Sequence, residues 1–273
     1  MLTPALAGCA VLVKARRPVC RTLRSDTSSI IRPTAARGDY TQVAPTYEVS
    51  DKGRKGAPVA VSQLLANATG LYRAGRMDEA ERLARQALKA DARSGDAHTL
   101  LAAIATARGN AAEAGSHYQQ AVAIAPANGA YANNYGTWLC GNGRAAESLD
   151  WFDKALADPG YPTPAAALAN AGACADSAGQ QDRAEAQWRQ ALALEPGNLP
   201  SLSGMAALQF ARGQYLEARA FAERWLALAP TDDEGLQLAA RIEQKLGDNL
   251  AAERYLSRLQ AISPGSTTAP RTQ

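Results

Sequence analysis

Between residues 61 and 266 the apolar and small side chains fall into repeated blocks, each holding two stretches of helical period. On the second stretch of a block, large apolar residues stand four apart, as in Phe152 and Leu156 or Trp188 and Leu192. A glycine separates the two stretches every time: Gly75, Gly109, Gly143, Gly179, Gly213 and Gly247, at spacings of 34, 34, 36, 34 and 34 residues. Five blocks close on a proline, Pro126, Pro159, Pro196, Pro230 and Pro264. Glycine tolerates the backbone angles of a tight turn, and proline ends a helix. A small residue stands seven places before each turn glycine (Ala68, Ala102, Gly136, Gly172, Ala206, Ala240), and another five places after it (Ala80, Ala114, Ser148, Ala184, Ala218, Ala252). Two helices crossing at those points approach closely only if the side chains there are small. The pattern predicts an all-α chain: a solenoid of six helix-turn-helix units at 61–94, 95–128, 129–162, 165–198, 199–232 and 233–266, with Thr163 and Pro164 inserted.

The small/large pattern with its terminal proline resembles the tetratricopeptide repeat. It departs from that repeat at Ala92, which replaces the proline of the first unit, and at Trp225, which takes a usually small position in the fifth. Arrays of this kind hold other proteins more often than they carry out chemistry. In them the first helices of successive units line a concave groove. Carried over, that geometry puts Leu65, Tyr72, Thr99, Asn133, Thr137, Asp176, Phe210, Gln237 and Arg241 in a protein-binding groove. Arg73, Arg241 and Lys245 are the few cations near it, so an extended or helical apolar peptide suits the lining better than an acidic one. Each residue taken singly is also what a solvated helix face presents. The adjacent amides Asn133 and Asn134 are poor helix formers; Asn133 is assigned to the ligand and Asn134 to a structural hydrogen bond.

The third and fourth units carry more than the generic repeat. Asn133-Asn134-Tyr135-Gly136-Thr137-Trp138-Leu139-Cys140 leads into Gly143-Arg144, Glu147-Ser148 and Phe152-Asp153-Lys154-Ala155-Leu156. Tyr161-Pro162-Thr163-Pro164 and Asn170-Ala171-Gly172-Ala173-Cys174 follow. These runs resemble the type IV pilus biogenesis lipoprotein family known as PilF or PilW. The resemblance spans about residues 60–266 and implies a six-repeat protein on the periplasmic face of the outer membrane. It implies a pilotin-like role: binding the pilus secretin subunit and supporting its assembly, localisation or stability, with consequences for twitching motility. A generic periplasmic adaptor for another envelope complex is the alternative. Cys140 and Cys174, on first helices of adjacent units, are either a bridge or two buried thiols; the periplasmic setting that the resemblance implies favours a disulfide.

Charge and composition narrow the picture further. Residues 1–58 hold ten Lys or Arg against four Asp or Glu, while residues 59–273 hold nineteen against twenty-two. The repeat body offers no basic face for nucleic acid, so the overall charge of +3 comes from the leading segment. That segment, residues 10–58, mixes Arg, Thr, Ser, Pro and Gly without helical period and reads as a disordered basic tether. Residues 267–273 form a short polar tail. Leu6-Ala7-Gly8-Cys9 reads as a bacterial lipobox, with Cys9 the lipidated residue and anchor to the outer membrane. Eight residues before Cys9 are too few for a signal segment, so this reading expects the true start to lie upstream of Met1. No phosphate-cradling loop, nucleophile elbow or His-Glu-x-x-His occurs, and six repeats use nearly all the ordered chain. The expectation is no enzyme, no cofactor, no small-molecule substrate and, with His98 and His117 the only histidines, no metal.

Overall fold

The computed structural model describes residues 58–262. The lipobox with Cys9, Cys20, nearly all of the basic tether and the end of the chain from residue 263 lie outside the described residues. Twelve helices follow in order: α1 (Pro58–Arg73), α2 (Met77–Ala90), α3 (Gly95–Ala107), α4 (Ala111–Ile124), α5 (Gly129–Gly141), α6 (Ala145–Leu156), α7 (Pro164–Ser177), α8 (Gln181–Leu194), α9 (Leu199–Ala211), α10 (Tyr215–Leu228), α11 (Asp233–Leu246) and α12 (Asn249–Ile262). No strand occurs among the described residues. Each odd helix packs on the even helix that follows it, and each even helix packs on the next odd one. Successive odd helices also touch one another, whereas no two even helices do. The odd helices therefore form the inner, concave side of the stack.

Two kinds of junction alternate along the chain, each with its own local chemistry. Within a hairpin, the six turn glycines adopt φ of 74° to 83°, the left-handed region that a side chain disfavours. Between hairpins, the odd helix begins on a side-chain cap: Ser94, Asn128, Asn198 and Asp232 each accept from the N–H three residues on. These caps stand at equivalent positions of their repeats, which starts α3, α5, α9 and α11 in a common register. The inserted stretch before α7 serves the same end differently. Asp158 accepts from the Gly129 N–H at 2.8 Å, and Tyr161 is buried beneath the start of α5.

Packing inside the stack depends on absent side chains. A Cβ on Gly172 of α7 or on Gly204 of α9 would lie 2.5 Å from the Trp188 indole, which stands between them and donates to the Ala169 carbonyl at 3.2 Å. Gly129 and Gly136 leave room in the same way for the Ala155 carbonyl and for the Phe152 ring and Ser148 carbonyl. Trp225, the large residue at a usually small position, is accommodated by Gly235 of α11, where a Cβ would come within 3.2 Å of its ring. The oversized residue of one helix is thus answered by a glycine on the next.

Helix α5 is buried along its whole length from Gly129 to Cys140. It is tied to α7 twice. Asn170 Nδ2 donates to Asn133 Oδ1 at 3.2 Å and reaches Thr137 Oγ1 at 3.4 Å. One turn further along, Cys140 and Cys174 are bonded, with Cα atoms 5.8 Å apart. Outside this centre, arginines bridge neighbouring repeats. Arg108 pairs with Asp78 and Glu81, Arg212 with Asp182 and Glu185, Arg183 with Asp153, and Arg219 with the buried Glu243. The exposed members contribute little singly, about 0–1 kcal/mol each.

Helices α3 and α4 also meet through a histidine pair. His98 Nδ1 and His117 Nδ1 lie 3.0 Å apart with ring centres separated by 5.2 Å. The two nitrogens therefore face each other nearly along the line of the ring centres, the geometry of one N–H···N bond holding a single proton. Burial pushes both imidazoles below the usual histidine range, and for His98 the charge of His117 adds to this.

Four outcomes follow from this packing. Gly143→Ala, at a left-handed turn with nothing within 4 Å of the new Cβ, costs about 1–2 kcal/mol from conformation alone. Gly172→Val costs about 1–3 kcal/mol by collision with Trp188, and only this second loss is partly recovered by also trimming Trp188 to Leu; urea unfolding of the three variants checks both. Removing the bridge with Cys140→Ala and Cys174→Ala opens a loop of 34 residues and costs up to about 4 kcal/mol on the loop-entropy scale, measured against the oxidised protein. The histidine pair binds protons more readily unfolded than folded. Stability therefore falls as pH drops below about 6.5, and the urea midpoint of His117→Gln falls less steeply over that range.

Candidate functional site

The inner face of the odd helices is not one continuous groove. Leu65, Thr99, Asn133 and Thr137, all expected to line it, are buried, at 3%, 2%, 0% and 3% exposure. The physical reason is the close approach of successive odd helices, which shuts these positions into the seam between neighbours. Thr99 turns its hydroxyl inward to the Gly95 carbonyl at 2.9 Å. Asn133, assigned to a ligand, instead spends its side-chain carbonyl on Asn170 and its amide on Asn134 at 3.4 Å. It is a structural brace. Asn170 was the missed partner, and the signal for it was an amide on the following odd helix displaced by the insertion.

One position of the repeat remains informative along the array. It is filled by Tyr72 on α1, Thr106 on α3, Cys140 on α5, Asp176 on α7, Phe210 on α9 and Gln244 on α11. Tyr72 is half-buried and its phenol is pushed up by that burial, whereas Cys140 is closed off by its bond to Cys174. With α5 contributing no accessible side chain, the row is interrupted at the third repeat. An N-terminal patch around Tyr72 and Thr106 is separated from a C-terminal patch on α7, α9 and α11.

The C-terminal patch holds the remaining expected residues together. Phe210 is half-buried, with Tyr215 behind it at 5.5 Å between ring centres and the Arg241 guanidinium above it at 4.7 Å. Stacking of this kind fixes both the ring and the cation. Gln237 is exposed on the same helix as Arg241, and Ala173, Ser203 and Ala207 are half-buried between them. Asp176 stands at the neighbouring repeat, half-buried, and loss of water pushes its carboxyl above the usual aspartate range despite the charge of Arg212. Tyr215 escaped the sequence reading because it begins a second helix, and only the hairpin turn brings it to Phe210. The arrangement offers an aromatic anchor with one charge of each sign. Among the described residues no group of three or more His, Cys, Asp or Glu side chains is placed to hold a metal ion.

The relatives of the chain agree with this architecture. A family model described as tetratricopeptide repeat matches residues 65–129. The type IV pilus assembly protein PilF of Pseudomonas aeruginosa is 28% identical over 218 residues, which cover 80% of this chain and 85% of that protein. The crystal structure of PilW, described as a widely conserved type IV pilus biogenesis factor, superposes with a TM-score of 0.72 at 32% identity, covering 77% of this chain and 97% of that one. The solved structure of Pseudomonas aeruginosa PilF superposes with a TM-score of 0.71 at 25% identity, covering 76% and 93%. Nearly the full length of both solved proteins is spanned by the six hairpins. The chain belongs to the PilF/PilW family of type IV pilus biogenesis tetratricopeptide-repeat proteins.

Proposed function

We propose that this chain is a non-catalytic scaffold of type IV pilus biogenesis that binds the pilus secretin subunit and promotes its assembly at the outer membrane. The observation that carries the reading is the accessible Phe210 patch on the inner face of an array whose relatives are pilus biogenesis proteins. Binding there shields an apolar or amphipathic segment of the subunit until it reaches its membrane. Lipid on Cys9 is the proposed anchor on the periplasmic face, and no described helix is long and apolar enough to cross a membrane. A single acyl chain holds a protein only marginally, so lasting attachment calls for two or more.

Cells lacking the gene provide the test. Heat-resistant secretin multimers in the outer membrane are expected to be lost or misplaced, with monomer still present, and to return with the intact gene but not with Cys9→Ala. Normal multimers in the deletion strain would remove the assembly role and leave an adaptor for another envelope complex.

A further inference from the structure

Arg108, Arg183, Arg212 and Arg219 each face a carboxylate of a neighbouring repeat, and Arg224 and Arg258 each donate to a backbone carbonyl; Arg241 on the inner face does neither. Its guanidinium is held over the Phe210 ring at 4.7 Å and has no acidic partner among the described residues. Asp176 is its counterpart: a half-buried carboxylate that makes no ion pair among the described residues. The nearest cation acting on it, Arg212, is itself occupied by Asp182 and Glu185. Burial pushes the Asp176 carboxyl up, so a cation brought beside it would relieve a cost the free protein bears. Phe210 stands on α9, the helix between those of the two charges, and the small side chains Ala173 on α7 and Ser203 and Ala207 on α9 are half-buried. The patch thus carries an unanswered negative charge, an apolar anchor and an unanswered positive charge, in that order from α7 to α11.

We infer that the inner face of α7, α9 and α11 binds an extended protein segment carrying a basic, an apolar and an acidic side chain in sequence, which meet Asp176, Phe210 and Arg241 respectively. This rests on the reading of the inner face as a protein-binding surface and names the chemistry of the partner. Packed neighbouring helices lie about 8–10 Å apart, and an extended chain advances about 3.3 Å per residue. The basic residue therefore stands about three positions from the apolar one. The acidic residue follows within one or two positions, because Arg241 already lies over the ring. The apolar side chain settles against Phe210 and the alanines, and the stacked guanidinium loses little freedom when it meets the carboxylate. The two charges select where the basic and acidic residues stand relative to the apolar one and oppose their exchange, which a purely apolar groove does not do.

Fluorescein-labelled peptides titrated with the full chain at low ionic strength test this. One peptide carries a lysine, two serines, a leucine and a glutamate between glycines; a second has the lysine and the glutamate exchanged; a third has glutamine at both charged places. The protein is expected to bind the first about tenfold more tightly than the second or the third. The double variant Asp176→Lys/Arg241→Glu is expected to prefer the second peptide, and Phe210→Ala to lose all three peptides while keeping its helix content, with melting lowered by only a few degrees because the ring is half-buried. Equal binding of charged and neutral peptides, an unchanged preference in the double variant, or no binding of either charged peptide at millimolar protein overturns the inference. Should the double variant not fold, Arg241→Gln alone is expected to erase the difference between the first peptide and a fourth in which only the glutamate is replaced by glutamine, and a retained difference overturns the inference. In cells, normal secretin multimers supported by a folded double variant overturn the inference while leaving the assembly role intact. Multimers that do not depend on the gene at all remove the assembly role, and the peptide titration still decides the inference by itself.

Discussion

No hairpin of this chain can bury its apolar face alone, and everything else in the structure follows from how neighbouring hairpins meet. The second helix of each unit lies between two first helices, so its large side chains must be received on both sides. Trp188 shows the requirement in its simplest form. Its indole occupies the space where Gly172 of its own hairpin and Gly204 of the next would carry side chains. Trp225 repeats the arrangement with Gly235. Burial of such rings supplies most of the driving force, and the glycines that admit them sacrifice helix propensity to do so. Stability in the array is therefore a property of junctions rather than of units.

The centre of the stack is held more tightly than its ends. Helix α5 is buried along nearly its full length and is joined to α7 by an amide pair and a disulfide. An amide buried in a helix seam is costly unless both partners are present, so Asn133 and Asn170 specify one register of α5 against α7, and the bridge at Cys140 and Cys174 holds it. Rigidity at this point has a consequence for binding. It removes the third repeat from the accessible inner face and leaves two patches, of which the C-terminal one combines an aromatic ring with charges of both signs.

That division bears on how a pilus biogenesis factor of this family engages its client. A continuous apolar groove would accept many segments with little discrimination. In the binding mode inferred above, the short patch of Asp176, Phe210 and Arg241 would discriminate by the placement of charge as well as by hydrophobicity, and its charges respond to ionic strength because they are only half-buried. The Phe210 ring is already supported by Tyr215 and Arg241 before any ligand arrives, so the anchor is preorganised.

The helices, their turns and their pairing were legible in the amino-acid order, because turn glycines and crossing-point alanines answer to backbone sterics and to the nearest hairpin, both local in sequence. The resemblance carried by the Asn-Asn-Tyr-Gly run and the paired cysteines also led to the family. The binding face was legible only in part. Phe210, Arg241, Asp176 and Gln237 stand where the helical period places them, but Leu65, Thr99, Asn133 and Thr137 are shut into the seam between odd helices. Their fate depends on how closely one repeat approaches the next, a distance set by glycines and rings tens of residues away. Periodicity says which face of a helix points inward. Whether anything remains open on that face was decided by the packing of neighbouring repeats.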